Sequence, residues 1–363
     1  MASNSFGNIF RITTWGESHG KAIGVVIDGC PSGLELNDEV INKELALRAP
    51  GRNPYTSPRK EQDRGEILSG TFEGKTTGCP ISIIIWNKDA DSSKYNAIKS
   101  LLRPGHANYT YLQKYGIFDH NGGGRSSARE TACRVAAGAV AKQLLLRCNI
   151  QALSYISEVD GIKSSIEASN AKSFENAIKQ SPIFCPDPKT SALIIRQIEK
   201  AKLEQDSLGG VIEFAVFSLP PGLGDPIYHK LEALLASALM SIPAAKGFEI
   251  GSGFQSAKMH GSKHNDSFLM KNEKVETKTN HSGGILGGIS SGMPVTGRVA
   301  FKPTSSIAQP QKTIDLKGRN EIFSLPKGSR HDPCLALRAV PIVDAMLALV
   351  IADTLLMNRS AKL

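Results

Sequence analysis

Two histidines on glycine-bearing turns are the first residues in this sequence that could do acid–base chemistry. His19 stands in Gly16-Glu17-Ser18-His19-Gly20, and His106 follows the rigid Arg103-Pro104-Gly105 turn. A loop imidazole beside glycine is accessible and changes charge near neutral pH, as a proton donor or acceptor must. An anionic neighbour would push the His106 imidazole upward and favour its charged form near pH 7. Ser18 lies in a Gly-x-Ser-x-Gly arrangement, the pattern of a serine-hydrolase nucleophile elbow. Such an elbow follows a buried central strand and borrows an oxyanion donor from an earlier loop, yet only one short strand candidate precedes Ser18. Asp332, in Arg330-His331-Asp332-Pro333, is either a helix cap or a base, and capping suits this segment better when it is read alone.

A second group of residues suits anions. In Gly122-Gly123-Gly124-Arg125-Ser126-Ser127-Ala128-Arg129 the glycines permit close backbone approach, and helix N–H groups and arginine supply positive potential. A phosphate or the edge of a flavin ring could dock there; the plain alternative is a glycine-rich lead into a helix. The stretch matches neither a dinucleotide fingerprint nor a phosphate-binding P-loop, and the nearest P-loop resemblance, Gly70 to Thr76, is one spacer short. Lys302-Pro303-Thr304-Ser305-Ser306 offers one cation and several hydroxyl donors, either a phosphate cradle or an ordinary strand-to-loop turn. His281 to Gly292 has a permissive backbone and little charge, so it could lie flat against a cofactor or form a bulged strand pair. Neither the histidines nor the six scattered cysteines show the close pairs of a zinc site, so no metal is expected.

The elements that must position these residues can be read from periodicity. Apolar runs at Phe10 to Thr14 and Ala22 to Asp28 flank the Ser18–His19 turn and predict an antiparallel pair. Asn37 can cap a helix reaching about Leu47, stopped by Pro50 and Gly51, and Ile81 to Trp86 reads as a strand. Leu101 to Gly124 is turn-rich with a short helical middle; Ser126 to Leu146 is the strongest helix, with Ser127 and Glu130 at capping-box spacing. Strands at Ile150 to Val159 and Gly210 to Ser218, polar helices between them, an amphipathic helix at Tyr228 to Ser241 and a terminal helix complete a mixed pattern. No low-complexity linker divides it, so residues 1–363 are expected to form one domain.

Composition narrows the function. Aromatic residues are only 6% of the 363, too few for a single-strand nucleic-acid platform. The charge of +9 is compatible with nucleic acid, but basic residues gather around prolines and glycines at Arg48 to Arg64 and Arg125 to Arg134 without forming a stripe, which suits small anions. The cysteines read as buried thiols of a reducing compartment. The N-terminal stretch has no apolar signal-like core, and Pro341 to Met357 reads as too short and too interrupted by Asp344 and Asp353 to span a bilayer. A cytoplasmic protein with no membrane or nucleic-acid partner is expected.

Taken in order, GESHG at Gly16, RPGHANYTYLQKYG at Arg103, GGGRSSARET at Gly122, GGILGGISSG at Gly283, KPTSS at Lys302 and RHDPC at Arg330 closely resemble the chorismate synthases. The resemblance implies an α+β fold, a β-α-β sandwich with a helical layer between antiparallel sheets, assembled as a homotetramer. It implies a reduced flavin mononucleotide (FMNH2) cofactor and a 1,4-elimination of phosphate from 5-enolpyruvylshikimate 3-phosphate. By that resemblance His19 protonates the departing phosphate, His106 stabilises the reduced flavin, and Asp332, linked to Ser18, helps flavin N5 accept the substrate hydrogen. Arg125, Ser126, Ser127, Gly287, Lys302, Pro303, Thr304, Ser305, Ser306 and Arg330 match flavin positions. Arg48 matches a position for NADPH or another anion, with Arg52 the nearest substitute for a second arginine where this chain has Pro54. Pro243-Ala244-Ala245-Lys246 also departs from the family pattern, leaving Ala244 as a backbone contact.

Overall fold

Period-two burial builds the first sheet in the computed structural model, which describes residues 3–57, 63–88, 93–166, 171–326 and 331–362. Arg330 and residues 58–62 of the proline- and arginine-rich loop lie outside the described residues. The chain opens with β1 (Ser5–Phe6), β2 (Arg11–Gly16) and β3 (Ala22–Asp28). In β2, Ile12 and Thr14 are buried while Arg11, Thr13 and Trp15 are exposed. Helix α1 (Asp38–Arg48) begins where Asn37 accepts a hydrogen bond from the Val40 N–H at 3.0 Å, as its side chain predicts. Then come β4 (Gly65–Ile67), a small hairpin of β5 (Thr71–Phe72) and β6 (Lys75–Thr76), and β7 (Ile81–Trp86). The strand order is β1-β2-β3-β7-β4, antiparallel throughout, and the expected hairpin pairs Gly16 with Ile23.

Helices α2 (Asn108–Tyr115) and α3 (Thr131–Arg147) follow. The long helix expected from Ser126 starts later, because two 3₁₀ turns, Gly124–Ser126 and Ala128–Glu130, come first. The expected capping box does not form: Ser127 caps only the second turn, and Arg134, one helical turn on, takes the Glu130 carboxylate at 2.8 Å.

The second half lays down β8 (Gln151–Val159), β9 (Ile162–Lys163), α4 (Ala171–Gln180), α5 (Pro188–Leu203) and β10 (Gly210–Phe217). Helix α6 (Leu231–Met240), β11 (Ala245–Ile250), the one-turn α7 (Gly261–His264) and two hairpins come next, β12 (Phe268–Lys271) with β13 (Lys274–Thr277) and β14 (Ile285–Leu286) with β15 (Ile289–Ser290). The chain ends through β16 (Val295–Phe301), a hairpin of β17 (Gln311–Ile314) with β18 (Asn320–Phe323), and α8 (Ala336–Met357). The second sheet is ordered β11-β16-β10-β8-β9, again antiparallel.

Between the sheets lie α3 and α8, with α1, buried only at Ile41, Leu45 and Arg48, packed beside both and on β4. Helix α3 packs on β3 and β7 of the first sheet, α8 on β8 and β10 of the second, and the two helices pack on each other. This is the expected β-α-β sandwich. Its middle layer demands helices that are apolar on every side. In the 22 residues of α8 only Arg338, Asp344, Leu355 and Met357 escape full burial. The apolar segment is longer than the sequence suggested: Ala336–Ser360 is long and apolar enough to cross a membrane by length and composition, but 83% of its apolar window is buried within the fold. Of the cysteines, Cys30, Cys133, Cys185 and Cys334 are buried as expected, whereas Cys79 and Cys148 are exposed.

Asp353 near the end of α8 ties down the start of the chain. Its carboxylate accepts the backbone N–H groups of Asn8, Ile9 and Phe10 at 2.8, 2.7 and 3.0 Å. Asp353→Ala removes the acceptor of all three at once and should lower the unfolding free energy in urea by on the order of 3 kcal/mol. A loss below about 1 kcal/mol would show that the staple contributes little.

Candidate active site

The β2–β3 connection is a tight turn, Glu17–Gly20, closed by the Gly20 N–H donating to Glu17 O at 3.1 Å, with Ser18 and His19 as its central residues. Both flanking elements are antiparallel strands, so the nucleophile-elbow context of strand, turn and helix is missing. Ser18 is buried, and its hydroxyl donates to Asn121 O at 3.4 Å. The Ser18 N–H also reaches Gly124 O at 3.4 Å, fixing this turn against the three glycines.

Those glycines bring the two histidines together. Gly122 and Gly123 both have positive φ, 68° and 90°. A Cβ built on Gly122 would collide with the His19 ring and lie 2.8 Å from Ser18 Oγ; one on Gly123 would lie 3.2 Å from His106 Cε1. Only glycine allows the backbone to pass between the two rings in this conformation. Each ring is also held by an aromatic edge, His19 by Tyr95 at 5.3 Å and His106 by Phe118 at 6.2 Å between centroids.

On its other side the His106 turn meets the 302–306 segment. Lys302 Nζ donates to Gly105 O at 3.2 Å, and an Arg103 N–H donates to Ser306 Oγ at 2.8 Å. His106 Nδ1 and Thr304 Oγ1 are buried with no hydrogen-bond partner among the described residues. Burial first, then the charges of Arg103 and Lys302, push the His106 imidazole down from 6.5 to about 3. Burial and these two cations both disfavour the charged imidazole, whereas an anion placed beside the ring would act in the opposite direction.

A buried ion network underlies both turns. Asp63, with a fully buried side chain, accepts from Arg48 at 2.6 Å and from Arg129. Burial alone would push the Asp63 carboxyl up; the two guanidiniums outweigh it and hold it below the usual range. Arg48 further donates to Thr131 Oγ1 at 3.2 Å and Ala128 O at 2.7 Å, and Arg129 Nε donates to Asn87 Oδ1 at 2.9 Å. Arg338 connects the far end, donating to Arg48 O at 3.3 Å and to the Asp332 carboxylate at 2.8 Å. Asp332 also accepts the Ser57 N–H at 2.8 Å. It does not cap α8, whose first turn follows Leu335, because Arg338 and Ser57 occupy its oxygens.

Comparison with known proteins identifies the family. The chorismate synthase family model matches residues 10–356. A chorismate synthase of Protochlamydia amoebophila is 55% identical, with all of both chains covered, and one of Methanosarcina mazei is 52% identical over 98% of this chain and 97% of the relative. A solved structure titled as a crystal structure of chorismate synthase superposes with a TM-score of 0.78 at 31% identity, covering 98% of this chain and 94% of the other. The chain belongs to the chorismate synthase family. Its activity is therefore the carbon–oxygen lyase step of the shikimate pathway that forms chorismate, in place of the hydrolase reading of Gly16–Gly20.

The other residues expected at a chorismate synthase site have the following surroundings in the protein. Arg48 is 2% exposed, with its guanidinium spent inside the protein. Arg125 turns toward β2, donating to Thr14 Oγ1 at 2.8 Å and Gly16 O at 3.3 Å, while Ser126 Oγ donates to Gly123 O at 2.7 Å. Ser127 serves its 3₁₀ turn. Arg52 is exposed and lies 3.9 Å over the Phe184 ring. Gly287 sits in the β14–β15 hairpin, where the adjoining Gly288 packs against Asp225 and Lys230. Pro303 packs near Gly209, and Ala244, with φ of 71°, accepts the Lys302 N–H at 2.9 Å. Asp332 and Ser18 have separate partners, Ser57 and Arg338 for the first and Asn121 and Gly124 for the second. Among the described residues no cluster of three or more His, Cys, Asp or Glu could hold a metal ion. An open groove of about 580 Å³ beside α6 and β11 is lined by Phe248, Phe254, Glu232 and Glu249 without any lysine or arginine, which does not suit a polyanion.

Sequence reasoning missed Asp63 and Asn87 and gave Arg103 no role of its own. The available signal for Asp63 was a lone carboxylate within an arginine-rich loop. His106 offers a direct check on this electrostatic picture. The unfolded chain takes up its proton near 6.5, the folded chain only near 3, so the stability associated with this residue is full above pH 6.5 and declines as pH falls toward 3. In the protein without ligands, the His106 ring signals in an NMR titration should remain those of neutral imidazole from pH 8 to about pH 5. A midpoint near 6.5 would contradict the burial.

Proposed function

We propose that this enzyme eliminates phosphate from 5-enolpyruvylshikimate 3-phosphate at the glycine turn between His19 and His106, with reduced flavin mononucleotide held on the His106 side. The observation that carries this is the pairing of Gly122 with His19 and Gly123 with His106, next to the cationic, hydroxyl-rich Lys302–Ser306 segment. The residues fit a flavin phosphate: Lys302 has a backbone carbonyl for its hydrogen-bond acceptor, Thr304 Oγ1 is buried without a partner among the described residues, and Ser305 and Ser306 line the same turn. Reduced flavin, when bound, supplies an electron transiently to the substrate and receives it back with the substrate hydrogen, so no net redox change occurs.

The protein's own groups then divide the work. His19 holds the proton destined for the departing phosphate. His106 offers an imidazole whose proton affinity is suppressed first by burial and then by Arg103 and Lys302; an anion that satisfies those cations raises that affinity, making His106 a donor to the anion itself. Asp332, with Ser18, is assigned to the proton side of hydrogen removal, its carboxylate oriented by Ser57 and Arg338. Ser126, Ser127, Pro303, Gly287 and Arg330 are assigned to the flavin by family resemblance, and Arg125 acts through its hold on the turn. Arg52 is an accessible anion contact for substrate or NADPH, while Arg48 acts from inside through Asp63. We take residues 1–363 to be one catalytic domain of a cytoplasmic homotetramer, with NADPH as an external or weakly held reductant.

The test is anaerobic. Protein mixed with 5-enolpyruvylshikimate 3-phosphate and chemically reduced flavin should release phosphate and chorismate in equal amounts, with neither appearing when the flavin is oxidised. His19→Ala and His106→Ala should each reduce kcat by roughly 10²- to 10⁴-fold. Product formation without reduced flavin, or unchanged turnover in both variants, would refute this assignment.

A further inference from the structure

The turn that carries His19 is held by a side chain with no assigned role. Asn87, just beyond β7, donates through Nδ2 to Glu17 O at 3.0 Å and to Gly20 O at 2.9 Å. These carbonyls belong to the first and last residues of the tight turn whose middle residues are Ser18 and His19. The Asn87 backbone N–H adds a hydrogen bond to Lys21 O at 3.1 Å. One carboxamide therefore joins the two ends of the turn, while Asn121 and Gly124 hold Ser18 in its middle.

The orientation of that carboxamide is dictated by charge. Asn87 Oδ1 accepts from Arg129 Nε at 2.9 Å, and Arg129 is paired with the buried Asp63. Arginine can only donate and the two turn carbonyls can only accept, so the amide has one satisfactory orientation, in which both donors and the oxygen are used. A carboxylate of the same size could still accept from Arg129, but it would present oxygen to two carbonyl oxygens.

We propose that Asn87 is a positioning residue for His19, clamping the Glu17–Gly20 turn in register with the glycine turn, with Asp63 and Arg129 fixing the orientation of the clamp. This rests on the assignment of His19 as proton donor, and the two can be tested apart.

Asn87→Asp is the informative variant, since it keeps the acceptor for Arg129 and removes both donors to the turn. His19 ring signals in a long-range ¹H–¹⁵N spectrum are identified by their loss in His19→Ala. In Asn87→Asp these signals should shift or broaden while those of His106 stay in place. In the anaerobic assay kcat should fall roughly 10- to 100-fold, the scale of a misplaced catalytic group. KM should stay within about twofold, because the substrate's anion contacts are untouched. Should Asn87→Asp fail to fold, Asn87→Ser serves for the same readouts. Wild-type His19 signals with wild-type kcat would overturn the positioning role. Full turnover in His19→Ala would instead remove the proton-donor assignment, and the ring signals would then decide the clamp alone.

Discussion

A carboxylate buried between two guanidiniums is the interaction on which the rest of this structure leans. Asp63 has no exposed side-chain surface, and an uncompensated charge there would be strongly unfavourable. Arg48 and Arg129 compensate it, and each then uses its remaining N–H groups to bind a different element. Arg48 joins the end of α1 to the start of α3 through Ala128 O and Thr131, where a cation also suits the helix C-terminus. Arg129 joins the end of β7 through Asn87, and Arg338 of α8 leads on to Asp332. Two guanidiniums on one carboxylate leave a surplus of positive charge, and burial, ahead of all other causes, pulls the Arg48 guanidinium down to about 10. For a substrate with two carboxylates and a phosphate, a scaffold already rich in fixed cations is an electrostatic advantage before any direct contact is made.

The glycine turn translates that scaffold into a site. Side chains at 122 and 123 would occupy the space of the imidazoles, so the backbone itself serves as the wall between two acid–base groups. His106 and the 302–306 segment share the Arg103–His106 turn, which couples the proton affinity of the ring to whatever anion satisfies Lys302 and Arg103.

Much of this was legible in the residues. The β2–β3 hairpin, the Asn37 cap, β7, and β8 and β10 of the second sheet follow from local periodicity and capping chemistry, and the ordered motifs carried the family and the sandwich. The parts that were not legible depend on partners distant in the chain. The start of α3 slipped to Thr131 because Arg134 competes for Glu130, and Asp332 left its capping role because Ser57 and Arg338, one of them 275 positions away, satisfy it. Arg48 looks like a surface anion contact until Asp63 is seen to bury it. Asn87 carries no motif at all; its importance lies in a hydrogen-bond pattern that only the folded chain assembles.

Urea unfolding of Asp63→Asn at neutral pH tests the central claim most directly. The variant keeps the shape and removes the charge, leaving two buried guanidiniums without their counter-ion. The unfolding free energy should fall by about 3–5 kcal/mol relative to the unaltered protein. A change smaller than about 1 kcal/mol, the range of an ordinary surface pair, would contradict the dependence of the fold on this carboxylate.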